Sequence, residues 1–236
     1  MPRLIPFPQG VKFTSRVPTA GPRSVSAVAN EGVTGFIQTV QNLSGLWQWQ
    51  FTFAPTVYAD ARAYRGFITA MHSGSNAARI PFRDPDLRFE DMGLTYSRED
   101  RRKGFPWSDG EYWSDGFGWS PNFGFVSVRR AAAKEDTVVA LVNETWCRRL
   151  NVGDRIGFGP SHFGLYEITE VYPDDGFRIW PPLRKALTTD SYATLEPTMV
   201  MKLSPQQSAV PVRGVYATEA ATISLIEIED ADVRSF

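Results

Sequence analysis

Residues 152–183 read VGDRIGFGPSHFGLYEITEVYPDDGFRIWPPL, and this stretch decides the fold. It predicts a meander of three short strands. Gly153-Asp154 is turn chemistry, after which Ile156 and Phe158 fall on one face of a strand. A second apolar-rich run covers 165–172. Asp174-Asp175-Gly176 predicts a hairpin turn, because Asp-Gly accepts the positive φ that tight hairpins need. Phe177 and Ile179 share a face. Pro181-Pro182 closes the last strand, since proline donates no ladder hydrogen bond. This is the patterning of a small β-barrel or sandwich unit, and none of it carries chemistry.

The clearest alternation in the chain lies upstream. Trp47, Trp49, Phe51 and Phe53 line one face of a strand, and Gln48, Gln50 and Thr52 line the other. A solvent-facing row of four aromatics would be a sugar-binding ladder or a docking surface; packing into a core is the simpler account. A helix is predicted next. Thr56 is its candidate N-cap, and Asp60 sits in the first turn, where the dipole favours a negative charge. Val57, Ala61, Tyr64, Ile68 and Met71 step by four, three, four and three residues, which makes one apolar stripe. Ser73-Gly74 ends the helix. Residues 79–85 read as a short strand and turn.

The order GD-x-I-x-hG at 153–159, LY-x-I at 165–168, DG at 175–176 and PPLR at 181–184 resembles tail-tip proteins of the distal tail type from long-tailed, non-contractile bacteriophages (siphophages). Those proteins join the tail tube to the baseplate or fibre hub. The resemblance takes in the strand and helix at 46–85 and covers about half the chain. It implies a mainly β fold: a β-sandwich like that of tail-tube and distal tail proteins, with one flanking α-helix and a second small β-barrel-like unit. On that plan residues 1–85 are an arm plus sandwich strands and helix. Residues 86–124 are an insertion, 125–203 the barrel-like unit, and 204–236 a return strand completing the sandwich.

The resemblance also implies a structural virion part. Copies form a homo-oligomeric ring, most simply of six, which contacts the tail tube protein, hub, baseplate or fibre proteins and the tape-measure protein. Such a protein is made in a host cytoplasm, ends in the virion and needs no cofactor. A hub or other minor tail protein would fit the same residues.

Residues 1–30 hold Pro2, Pro6, Pro8, Pro18 and Pro22, which rule out a long helix. Val11, Phe13 and Val17 hint at an edge strand. The segment reads either as a loosely docked arm or, as such rings favour, as an arm ordered on a neighbouring subunit. Residues 32–43 predict a strand from their β-branched and aromatic content. So do 123–130, 136–141, 192–195, 199–203 and 221–229, the last returning to pair with the N-terminal strands. Residues 227–232 are acidic and read as a solvated terminus.

The insertion breaks the pattern. Residues 86–104 are highly charged, and FPWSDGEYWSDGFGWSPNFGF follows at 105–125. Trp-Ser-Asp-Gly occurs at 107 and 113, and Trp119-Ser-Pro is a degenerate third copy. The segment is too aromatic for disorder. Trp107, Tyr112, Trp113, Phe117 and Trp119 are therefore the candidate contact residues for a partner protein or a glycan. A carbohydrate-binding module, with the three tryptophans as stacking rings, is the competing function.

The chain has 236 residues and a net charge of −1, so no global field favours nucleic acid or acidic lipid. Lys and Arg total 25; the lysines are Lys12, Lys103, Lys134, Lys185 and Lys202, which leaves 20 arginines. Arginine is the better residue for buried or interfacial pairing. The short pairs Arg101-Arg102 and Arg129-Arg130 do not predict nucleic-acid binding. No stretch has the eighteen or so consecutive apolar residues of a membrane span.

Cys147 is the one cysteine and reads as a small buried hydrophobe beside Trp146. His72 and His162 lack metal-ligand spacing, and Asp84 and Asp86 lack a calcium-loop pattern. No nucleophile elbow, Walker loop or dinucleotide fingerprint occurs. Asp109, Glu111 and Asp115 are conceivable glycosidase carboxylates, but Asp-Gly turns account for Asp109 and Asp115. The expectation is a non-enzyme with no catalytic, cofactor or metal residues.

Overall fold

The structure is a computed structural model. It describes residues 2–8, 10–20, 45–82, 84, 86, 103, 105–116, 118, 125–142, 150–160, 162–204 and 217–229. The strand expected at 32–43, the charged run at 87–102, Cys147, Phe117 and Trp119 lie outside these residues.

Two β assemblies and one α-helix make up the described fold. The first is a six-stranded sheet built from β1 (Leu4–Ile5), β2 (Phe13–Ala20), β3 (Gln48–Phe53), β4 (Ala77–Pro81), β11 (Thr198–Leu203) and β12 (Thr222–Glu227). Its order is β1-β4-β11-β12-β3-β2. Only β1 runs parallel to its neighbour, with Leu4 opposite Ala77. The second is a closed barrel of β5 (Phe125–Arg130), β6 (Val138–Leu141), β7 (Arg155–Gly159), β8 (Tyr166–Val171), β9 (Gly176–Trp180) and β10 (Tyr192–Thr194). Its order is β10-β5-β6-β9-β8-β7, closed where Ala193 of β10 faces Phe158 of β7.

The aromatic alternation forms β3 as expected. Trp47, Trp49, Phe51 and Phe53 are all buried, and they face α1 (Tyr58–Ala70), whose Tyr64 and Phe67 enter the same core with Met71. Burying such side chains contributes about 1.5–3 kcal/mol each, which fixes the register of β3 and the seat of the helix together. Phe7 stacks on Phe13 and meets Phe67 edge-on. Residues 4–8 and 10–20 of the expected arm therefore join or pack on the protein's own sheet.

The start of the helix departs from expectation. Thr56 does not cap it: its hydroxyl is 2.7 Å from that of Thr218, and Val57 holds the N-cap position with no side-chain bond. Val57 is exposed, and Phe67 replaces it on the buried stripe. At the other end His72, Ser73 and Gly74 all have positive φ. Gly74 is required there, because a Cβ would lie 2.4 Å from the carbonyl oxygen of Leu203.

The meander of 152–183 is half of the barrel. Ile156, Phe158, Tyr166, Ile168, Phe177 and Ile179 fill its interior with Val126, Val128, Val139 and Leu141. In the β8–β9 turn the positive φ falls on Asp175 rather than on Gly176. Gly159 lets the barrel close, since a Cβ would meet the ring of Tyr192 at 2.4 Å. The barrel ends at β10. Residues 198–203, expected within it, form β11 at the centre of the six-stranded sheet, pairing with β4 and β12. The reason is face usage: Met199, Met201 and Leu203 join the helix-side core, while Val200 packs with Ala77 and Ile228 on the other face.

Candidate functional site

The aromatic segment holds its shape through two matching turns. The Gly110 N–H donates to the Trp107 carbonyl at 2.9 Å, and the Gly116 N–H donates to the Trp113 carbonyl at 2.8 Å. Both glycines have positive φ, +87° and +80°. The two Trp-Ser-Asp-Gly copies in the sequence are thus two copies of one turn. Asp109 Oδ1 accepts the Glu111 N–H at 3.0 Å, and the Trp107 N–H donates to the Glu111 carbonyl at 2.8 Å. Asp109 is accounted for by the turn.

These turns bring Trp107 and Trp113 together. Their ring centroids are 4.8 Å apart and their planes meet at 66°. Edge-to-face pairs of this kind add about 0.5–1.5 kcal/mol beyond area burial. The rings nonetheless stay 39% and 47% exposed. Tyr112 lies beside them in sequence, with the Lys103 ammonium 5.8 Å from its ring centroid. Three of the five residues picked from sequence are therefore in one short, turn-locked segment; Phe117 and Trp119 lie outside the described residues. The crossed planes make a knob rather than a flat platform for successive sugar rings.

A second polar centre, which sequence reasoning missed, joins barrel to sheet. Arg184 follows β9 and makes a two-pronged contact with Glu227 of β12, Nη2 to Oε2 at 2.8 Å and Nη1 to Oε1. Nη2 also donates to the carbonyl of Gly45 at 3.1 Å. Glu227 accepts the Trp47 N–H at 3.1 Å, and the Trp47 indole N–H donates to the carbonyl of Leu165 at 2.8 Å. Glu227 is wholly buried, so it is not part of a solvated terminus. Burial opposes the charge on Arg184, but Glu227 and Tyr166 outweigh it and the pKa ends raised. Along the same seam Arg155 pairs with Asp84 at 3.2 Å and Glu167 at 3.3 Å.

A cavity of about 240 Å³ opens beside this seam, walled by Phe125, Phe158, Phe163 and Tyr192 with Glu196 and Thr198. Its rings are already engaged: Tyr192 packs on Gly159 and meets Phe125 at 4.7 Å, and the Arg79 guanidinium lies 3.9 Å from the centroid of Phe163. Among the described residues no group of three or more His, Cys, Asp or Glu is placed to hold a metal ion. Among them, too, no helix is long and apolar enough to cross a membrane. No protein family matches the chain, and no curated protein matches it.

Proposed function

We propose that this chain is a structural protein of a siphophage tail tip, in the role of the distal tail protein. Copies assemble into a ring, most simply of six, between the tail tube and the hub or fibre apparatus, around a channel for DNA and the tape-measure protein. The finer fold that goes with this reading is the sandwich of tail-tube and distal tail proteins, with α1 packed on its flank and the barrel as the second unit.

The observation that carries the reading is the Trp107–Trp113 knob. Two large rings on a rigid pair of turns, both well exposed, suit insertion into a protein groove. Tryptophan anchors of this kind dominate protein interfaces. The sequence resemblance at 153–184 supplies the setting. β2 adds a second contact surface: it ends the six-stranded sheet, and no described strand pairs with its outer edge. An edge of that sort is a template for addition of a neighbouring strand.

Negative-stain imaging and light scattering of the purified full chain test this. Rings of fixed copy number are expected. A protein that stays monomeric at tens of micromolar and shifts its tryptophan fluorescence with polysaccharide instead supports a carbohydrate-binding module.

A further inference from the structure

His162 sits in the loop between β7 and β8 and is 6% exposed. Its Nε2 is 2.5 Å from the Tyr166 hydroxyl. Its Nδ1 is buried and has no hydrogen-bond partner among the described residues. The Tyr166 hydroxyl also accepts the backbone N–H of Arg184 at 3.2 Å, so one oxygen ties His162 to the residue that grips Glu227.

This arrangement works for a neutral imidazole. Tyr166 then donates its proton to Nε2 and accepts from Arg184. A second proton on the ring turns Nε2 into a donor. Tyr166 would have to accept twice, and its own proton would be left without an acceptor here. The charge would be unwelcome as well. The charged groups that act on His162 are Arg184 and Lys185, both beyond β9; Tyr166 on β8 bonds it, and Glu227 and Glu229, on and after β12, act on Tyr166 and Arg184. β7 contributes Phe158, 5.6 Å away and uncharged. The carboxylate of Glu227 is already committed to Arg184 through both oxygens.

We propose that the contact between barrel and sheet is a pH-sensitive junction, in which protonation of His162 loosens the Tyr166–Arg184–Glu227 seam and lets the two units part locally. Each unit keeps a core of its own, so parting does not require unfolding. Two large apolar side chains of the loop before β8 cross the seam among the described residues: Leu165 packs in the sheet's core, and Phe163 packs with Ala77, Val200 and Ile228 on the sheet's other face.

Burial, with Arg184 and then Lys185, pulls the His162 pKa down from its ordinary 6.5 to about 4. The closed junction therefore binds fewer protons than the open one. The closed form is fully favoured above about pH 6.5 and loses ground as pH falls toward about 4, by up to about tenfold per pH unit. The proposal does not depend on the tail-tip reading.

The test is a pH titration of the full chain by NMR from pH 7.5 to 4. The Trp47 indole N–H, which bonds the Leu165 carbonyl at 2.8 Å, reports the seam. The expected result is a His162 midpoint well below the ordinary 6.5, and a Trp47 indole signal that shifts together with it as pH drops below about 6. Amides of Ile179 and Leu225, one in each core, should stay protected over that range. In H162Q the acid response of Trp47 should disappear. A His162 midpoint at or above the ordinary 6.5 overturns the proposal, as does an H162Q protein whose seam responds to acid like the parent. If H162Q does not fold, the wild-type His162 midpoint and its coincidence with the Trp47 transition decide the matter alone.

Discussion

Arg184 and Glu227 form a two-pronged ion pair across the junction of barrel and sheet, with side chains 8% and 0% exposed. They are 43 residues apart in sequence. The pair also carries local backbone groups: the Gly45 carbonyl on the arginine, and the Trp47 and Leu165 N–H groups on the carboxylate, at 3.1 and 3.4 Å. Removing one partner leaves a buried charge without compensation. Glu227→Ala should therefore destabilise the protein by about 3–5 kcal/mol. The double change Arg184→Met with Glu227→Leu removes both charges and should recover part of that loss, the remainder being the stranded Gly45, Trp47 and Leu165 backbone groups. Urea denaturation of the two variants beside the parent checks this, and a double variant no better than Glu227→Ala contradicts it.

Gly74 gives a prediction of a different kind. Its φ is +90°, and a Cβ there meets the Leu203 carbonyl oxygen at 2.4 Å. The contact is with backbone of the central strand β11, which cannot swing aside. Gly74→Ala should cost at least the roughly 1–3 kcal/mol of a strained backbone position and should disturb the end of β11. Thermal unfolding measures the first effect and amide exchange at Leu203 the second. Gly110→Ala is the control, since a Cβ there meets nothing within 4 Å; only the φ term should remain.

Tyr166→Phe isolates the hydroxyl that links His162 to Arg184. The ring stays in the barrel core, but the Arg184 N–H and His162 Nε2 each lose a partner. A cost of about 1–3 kcal/mol is expected from stranding buried polar groups, read by chemical denaturation at pH 7.

What the sequence revealed follows from which signals are local. The period of two at Trp47, Trp49, Phe51 and Phe53 is a local signal on large side chains, and it placed β3 and its buried face. The Asp-Gly and Gly-Asp turns around β7–β9 did the same for half the barrel. The helix was legible by its spacing, but its first residue was not. Thr56 looks like a cap in sequence, and only the distant Thr218 diverts its hydroxyl. Residues 199–203 read as a strand with one apolar face, Met199, Met201 and Leu203, but that local pattern does not say which of the two β assemblies receives it. The junction was invisible for the same reason at longer range. Glu227 opens an acidic run and looks solvated until Arg184 is brought to it by the barrel. The paired turns that bring Trp107 and Trp113 together show in the sequence because one four-residue turn is written twice in adjacent letters.

That repeat supports the last prediction. Trp107 and Trp113 touch each other at 4.8 Å and remain exposed, while the turns beneath them are held by backbone bonds and the Asp109 carboxylate. Truncating the rings leaves the backbone bonds of those turns in place but removes the ring pair and its buried area, so W107A with W113A should lower stability by about 1–3 kcal/mol and leave the fold standing. If the knob fills a groove on a neighbouring copy or tail part, losing two aromatic anchors should weaken that contact by about 2 kcal/mol or more, enough to move assembly by at least about thirtyfold in concentration. Light scattering across a dilution series reads the assembly, and circular dichroism with thermal melting reads the fold. A modestly lowered but cooperative melt with lost or weakened rings is the expected outcome. Rings that form as before would move the subunit contact away from these tryptophans and onto the outer edge of β2, where a proline substitution at Val17 is the next variant to measure.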